Sequence, residues 1–397
     1  MKILYLTFYF EPDLCAGSFR NTPLAYELAR QSSTKGGTVK VITTQPNRYS
    51  SYNKKAEAVE YRNNLIIRRI DVTKHKSGFY DQIWSFRSYF KGVLREIKND
   101  SFDLVFASSS RLFTAYLGYK IAKKRQIPLY LDIRDLFIDT MKEVFKIPVI
   151  KKPVLLYLKY IEKKVFGYAS HINFISGGFN AYADNYNINC ITNFSHGIDK
   201  KYINTESSES VARGYYVITY AGNIGDGQGL HKIIPDAALQ LGEKYNFRII
   251  GDGGQLNKLK ELIKARNINN VTLEKPVSRE ELFDIYSDTD FFFIHLNDYK
   301  AFNKVLPSKV FELGASNKPI IAGVSGFSKD FMETHLDNVI LFKPGNVEEL
   351  VSKLKSYKYK TSNRSDFIRK FSRERINREM AASILSCRNY QQTGTAK

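Results

Sequence analysis

Short runs of β-branched and aromatic residues alternate along the whole chain with longer stretches of helical periodicity. In the first half ILYLTFYF is followed by a helical pattern over 21–31, then by TVKVITTQ, DLVFASSS, a helical pattern through 116–124, and PLYLDIRD. Strands joined through helices pair in parallel, because a parallel neighbour is reached only by a long crossover. A basic helical stretch carrying Leu and Tyr over 151–168 precedes HINFISGGF, which reads as the last strand of this half. The segment NTESSESVARG is polar, ends in Gly and offers no core residue, so a domain boundary falls within 195–212. The pattern then restarts with YYVITYAGNIGDGQGL, FRIIGDGG, NVTLEKPV, DFFFIHL and KPIIAGVSG, which predicts a second parallel sheet. Charged, periodic stretches over 346–357 and from 365 to about 390 predict helices. The expectation is two Rossmann-like α/β domains, 1–200 and 213–365, facing each other across a cleft, with a terminal helix over 366–390 packing back on the first.

Two domains suit 397 residues, since a single core rarely grows past about 250 residues. The 26 Tyr and 27 Phe exclude a disordered chain. Three cysteines, Cys15, Cys190 and Cys387, have no spacing that suits zinc or a redox pair, and a reducing cytoplasmic setting fits them best. The apolar opening breaks at Glu11 and Pro12, too early for a signal peptide, and reads as a first strand. No run approaches the roughly 18 apolar residues of a spanning helix, which leaves lying on a membrane surface open. The formal charge is +20, and residues 1–200 hold 31 basic against 17 acidic side chains. Such a field attracts phosphates of nucleic acid, of anionic lipid or of a diphosphate-bearing substrate, and charge alone does not choose among them.

In open parallel sheets ligands collect beyond the carboxyl ends of the strands, so the loops there carry the candidate chemistry. In EPDLCAGSFRN, Gly17 and Ser18 can bring backbone amides to a phosphate just before a helix, with Arg20 nearby; a plain turn is the competing reading. In AGNIGDGQGLHKII, Gly222, Gly225, Gly227 and Gly229 crowd a strand-to-helix turn where side chains would block a diphosphate. No Gly-Lys-Ser/Thr follows, so it is not a Walker loop, and it is not a clean dinucleotide fingerprint. LYLDIRDLFIDTM sets Asp132, Arg134 and Asp135 at a strand end, where they either form a salt bridge that holds the loop or orient a sugar or an acceptor hydroxyl. In FNKVLPSKVFELGASNKPIIAG, Ser308 sits near a helix start, and Lys309 and Glu312 lie one turn apart. They form an ordinary helical pair, or Lys309 meets a phosphate and Glu312 accepts from two ribose hydroxyls.

AGNIGDGQGL, FRIIGDGG, PSKVFELGASNKPIIAG and DIRDLF, in this order and at these separations, resemble the motifs of GT4 glycosyltransferases of the GT-B fold. Within that family the chain resembles the bacterial enzymes that build O-antigens and capsules, such as fucosamine transferases. The resemblance runs over nearly the whole chain. It implies a retaining transfer from a nucleoside diphosphate sugar, usually a UDP-sugar, with no required metal or other cofactor. Glu312 matches the family glutamate that holds the ribose, whereas the family's partner glutamate falls on Lys304. The usual Arg and Lys of the glycine loop fall on Asn223 and Gln228, so Lys309 or Lys304 must supply the charge for the diphosphate. The family's N-terminal catalytic-loop histidine has no counterpart, and Asp132, Arg134 and Asp135 occupy that loop, Asp135 being the choice for the acceptor side. The donor site implied comprises Gly17, Ser18, Asn223, Gly225, Gln228, Lys304, Ser308, Lys309 and Glu312.

Asp288-Thr289-Asp290 spells another transferase class's metal motif, but it leads straight into FFFIHL and reads as a helix-to-strand junction. His196 matches the family's interdomain segment and reads as structural. The basic stretch 151–164 either touches lipid headgroups or buries its Leu, Tyr and Ile on its own domain. The expected partners are a nucleotide sugar, an undecaprenyl-diphosphate-linked or other glycan acceptor, and the anionic inner face of the cytoplasmic membrane, with no nucleic acid. Two alternatives stay open: a UDP-sugar epimerase of the same architecture, and a nucleic-acid-binding protein prompted by the charge.

Overall fold

The computed structural model describes residues 1–13, 15–47, 56–72, 79–109, 112–144, 148–186, 188, 190–202 and 213–393. The chain divides into two compact units, Met1–His196 with Glu374–Lys397, and Gly197–Arg373.

The first unit holds strands β1 (Lys2–Thr7), β2 (Thr38–Thr44), β3 (Val59–Arg62), β4 (Leu65–Ile70), β5 (Leu104–Ser109), β6 (Leu129–Ile133), β7 (His171–Phe174) and β8 (Ile191–Thr192). They form one sheet in the order β3-β4-β2-β1-β5-β6-β7-β8. Among the described residues only the β3–β4 pair is antiparallel. The helix Ala16–Ser33 follows β1 and packs Leu24, Ala25 and Leu28 on the sheet. Beside it lies the helix Arg373–Thr393, whose Met380, Ala381, Ile384 and Cys387 form a single apolar stripe against Tyr5, Phe106 and Tyr130. The strand order reverses between β1 and β5, and a crevice opens at such a switch point beyond the strand ends.

The second unit holds β9 (Tyr216–Asn223), β10 (Tyr245–Asp252), β11 (Val271–Glu274), β12 (Phe291–His295), β13 (Ile320–Gly323) and β14 (Val339–Phe342). Their order is β11-β10-β9-β12-β13-β14 and every pair is parallel. Helices cover both faces, so β12 is apolar without alternation: Phe291 and Phe293 enter one core with Leu230 and Ile234, Phe292 and Ile294 the other with Val310 and Phe311. The switch point of this sheet lies between β9 and β12.

Two differences from the sequence reading, and one agreement with it, bear on function. The first helix begins at Ala16, so Gly17 and Ser18 belong to its first turn and not to a loop before it, and Ser18 is buried. The sequence carries no start signal there, because the cap position, Cys15, makes no side-chain capping bond. The stretch from 365 on is two helices, Ser365–Lys370 and Arg373–Thr393. Between them the backbone leaves the helix to pair with Ile198, whose amide donates to Phe371 O at 2.7 Å and whose carbonyl accepts from the Arg373 amide at 2.8 Å. Finally, Asp290 at the head of β12 accepts from the Val217 amide at 2.8 Å, Thr289 bonds Thr219 at 2.6 Å, and Asp288 pairs with Arg213. These contacts give Asp288-Thr289-Asp290 a structural job at the strand junction.

Candidate functional site

At the switch point of the second unit, β9 ends in Asn223 and the chain turns through Ile224–Gln228 into the helix Leu230–Leu241. Gly229 enters that helix with φ 61°, and a Cβ there would collide with Asn297. Only glycine combines that backbone conformation with so close an approach. Asn297, just beyond β12, holds the turn from the other side: its amide donates to Gly227 O at 2.8 Å and its side chain donates to Asp226 O. His295 completes the grip. Its Nδ1 lies 2.6 Å from Gln228 O, and the Gly345 amide donates to its Nε2 at 3.0 Å. Because Nε2 accepts, the proton sits on Nδ1 and is donated to the loop, which fixes a neutral tautomer. Burial agrees, pushing the His295 pKa down to about 4.

The side chains of Asn223 and Gln228 meet above this turn, Asn223 Nδ2 donating to Gln228 Oε1 at 2.8 Å, with Gly225 against Asn223 Nδ2. The two positions where the resemblance leads one to expect cations thus hold a pair of hydrogen-bonded amides. The helix Lys309–Gly314 follows the 3₁₀ turn Phe302–Lys304 that carries Lys304, with Ser308 at its cap position. Lys309 Nζ stands 2.7 Å from Glu312 Oε2 and 3.5 Å from the Tyr286 hydroxyl. Burial works to lower the Lys309 pKa, but the nearby oxygens of Tyr286 and Glu312 outweigh it and hold the ammonium above its ordinary value. Lys309 is also near enough to β9 for its charge to act on Tyr220, whose hydroxyl donates to Asn223 O at 2.7 Å. Asn223, Gly225, Gln228, Lys309 and Glu312 therefore belong to one edge of one sheet.

In the first unit the sequence-selected residues separate. Asp132 is fully buried at the end of β6 and accepts from Arg20 Nε at 2.9 Å and Arg20 Nη2 at 2.8 Å, and from Ser108 and Asn173 at 2.8 Å each. Desolvation would raise its pKa, but Arg20, with help from Arg134 and Asn173, holds it below the usual carboxylate range. Arg20 goes on to donate to Ser195 O at 2.7 Å and Phe194 O at 2.9 Å, tying the first helix to the segment that leaves β8. Asp132 is thus an internal anchor, paired with Arg20 and not with Arg134 of its own loop. Arg134 instead lays its guanidinium over Gly17, where a Cβ would fall 2.8 Å from Nη1. Its Nε is buried and has no hydrogen-bond partner among the described residues. Asp135 is solvent-exposed, two residues before the helix Phe137–Val144.

Residues 204–373, nearly the whole second unit and less than half of the chain, match the family described as glycosyl transferases group 1. The second unit is a glycosyl transferases group 1 domain. Over 176 residues, 42% of this chain and 42% of that protein, the sequence is 27% identical to the putative colanic acid biosynthesis glycosyl transferase WcaI of Escherichia coli K12. The match thus spans less than half the length of this curated relative. Over the full length of both chains the structure superposes on sucrose-phosphate synthase of Thermosynechococcus elongatus, with a TM-score of 0.67 at 13% identity. It likewise superposes on Anabaena HepE, solved in complex with UDP-glucose, with a TM-score of 0.61 at 14% identity. These are two-domain proteins of the GT-B fold, and the likeness shows that fold here.

Sequence reasoning passed over His295, Asn297 and Tyr286 in this group 1 domain. His295 and Asn297 bracket the carboxyl end of the plainest strand of the second half, and polar residues closing an apolar run were the available signal.

Proposed function

We propose that the chain is a retaining glycosyltransferase that moves a sugar from a UDP-sugar to a lipid-linked glycan. The acceptor would be carried on undecaprenyl diphosphate at the cytoplasmic membrane face during assembly of a bacterial surface polysaccharide. The observation that carries this reading is the glycine loop and the Lys309–Glu312 pair on one carboxyl edge inside the group 1 domain. WcaI is named for colanic acid biosynthesis and HepE was solved with UDP-glucose, which supports the pathway class and the donor.

In this reading Glu312 accepts from the ribose hydroxyls, which a carboxylate does in bidentate fashion. The glycine-loop amides, Asn223, Gln228 and Ser308 line the diphosphate, and Lys309 with Lys304 neutralises it. As the bond from the anomeric carbon to the diphosphate oxygen breaks, the diphosphate leaves with the electron pair, and the acceptor oxygen bonds that carbon on the same face as its proton passes to the departing diphosphate oxygen. Lysine charge held above its ordinary pKa lowers the barrier by stabilising the departing anion, and requires neither a metal nor a covalent enzyme intermediate. Arg134, over Gly17, and the exposed Asp135 face the acceptor side, with Asp132 as the anchor behind them and Ser18 buried in the same helix turn.

Lys309→Ala is expected to lower UDP release in the presence of acceptor by roughly 100-fold or more while the unfolding transition stays close to wild type. Wild-type turnover in that variant would remove Lys309 from the mechanism. An altered sugar formed from the donor alone, without acceptor, would make the protein an epimerase.

A further inference from the structure

A groove of about 510 Å³ opens on the first unit between the helices Leu112–Arg125 and Pro148–Tyr168. Its lining includes Lys120, Lys123, Lys124 and Lys164, interleaved with tyrosines such as Tyr116 and Tyr160, and holds no acidic side chain among the described residues. All four lysines are exposed, and none pairs with a carboxylate among the described residues. Tyrosine rings line up three of the ammonium groups instead: Lys164 stands 4.2 Å from the Tyr160 centroid, Lys123 5.6 Å from Tyr119 and Lys120 5.9 Å from Tyr116. The Lys123 ammonium also donates to the Tyr119 hydroxyl at 3.2 Å.

The longer helix is two-faced. Leu158, Ile161, Val165 and Phe166 are buried, whereas Leu156, Tyr157 and Tyr160 are 59%, 62% and 56% exposed. Leu156, Tyr157, Tyr160 and Lys164 share one stripe at three- and four-residue spacing, so the exposed apolar surface runs directly into the cationic groove. Favourable interaction with a helix C-terminus explains a lysine or two in the last turn of Leu112–Arg125. It does not explain cations from two helices turned to one groove beside large apolar side chains left in water. Both helices end where the next strand begins, at the amino edge of the sheet, opposite the edge where ligands of such sheets bind.

We propose that this groove seats the phosphate of an anionic lipid headgroup, with Leu156, Tyr157 and Tyr160 lying at the boundary between headgroups and acyl chains. Charge complementarity selects an anion, and the flanking stripe of leucine and tyrosine selects a membrane over a dissolved one, since tyrosine settles where an apolar ring and a wet hydroxyl are both accommodated. The site rests on the reading that the acceptor is lipid-borne, and it is separate from the donor site, so the two ideas fail separately.

The test uses the full chain and vesicles of phosphatidylcholine with or without phosphatidylglycerol, read by co-sedimentation. Wild type should bind only the anionic vesicles. Lys120→Glu with Lys164→Glu should weaken that binding roughly tenfold or more, and Tyr157→Ala with Tyr160→Ala should abolish the part that survives high salt. A control of equal charge change, Lys260→Glu with Lys264→Glu on the helix Leu256–Ala265, should bind as wild type does. The thermal unfolding transition of each variant reports an intact fold, whatever the outcome of a nucleotide titration. Undiminished vesicle binding by the groove variants would overturn the proposal, as would an equal loss in the control, which would make the effect one of overall charge. Loss of binding to a duplex oligonucleotide with vesicle binding kept would overturn it in favour of nucleic acid.

Discussion

Asp132 and Arg20 hold each other in a bidentate pair whose side chains are 0% and 2% exposed, and the charge of each is tolerable only because of the other. Removing one partner of a buried pair costs about 3–5 kcal/mol, whereas replacing both by apolar groups of similar size costs far less. Asp132→Asn should therefore lose about that much in denaturant unfolding, and Arg20→Met with Asp132→Leu should recover most of it; an Asp132→Asn variant as stable as wild type would show that the pair is not an anchor. Asp132, Arg134 and Asp135 were legible in the sequence as a charged cluster at a strand end. Their separate fates were not, because they depend on long-range partners: Arg20 lies 112 positions from Asp132, and Gly17 sits beneath Arg134 only once β1 and β6 share a sheet. The Lys309–Glu312 pair was legible because its two members are one helical turn apart.

At the scale of elements, the glycine loop is held by β12 through His295 and Asn297, so its shape is tied to the protonation of one buried imidazole. The His295 pKa is depressed to about 4 from an ordinary 6.5, and the unfolded chain therefore binds the extra proton between those values. Stability from this group is complete above about pH 6.5 and falls as pH drops toward 4, by roughly 1.4 kcal/mol per pH unit at most. Thermal unfolding between pH 7 and 5 should show this decline, and His295→Gln should be less stable at pH 7 with a shallower pH slope; an unchanged slope would mean that the imidazole does not report on the loop. Most strands were readable as apolar runs, since a sheet covered on both faces demands them. The misses have physical causes. In β4, LIIRRI, Arg69 is buried by pairing with Glu60 and with backbone carbonyls, which a hydrophobic pattern does not register. β14 is only four residues long and has polar flanks.

For the whole molecule, the charge of +20 has two local expressions. One is the lysine-lined groove of the first unit, the other the Lys309 edge of the group 1 domain. The fold was legible from strand–helix alternation repeated on either side of one polar segment, and its likeness to sucrose-phosphate synthase and HepE extends over the full chain. Ligand identity is a finer matter, decided by a few side chains at the switch point of one sheet, and the central claim is that this edge holds a uridine diphosphate sugar through Glu312 and Lys309. Calorimetric titration of the metal-free protein with UDP, GDP and ADP, beside Glu312→Ala, tests that claim most directly. The account predicts binding of UDP in preference to the other two and its loss in the variant with the fold intact; no binding to any nucleotide, or UDP binding undiminished by Glu312→Ala, would contradict it.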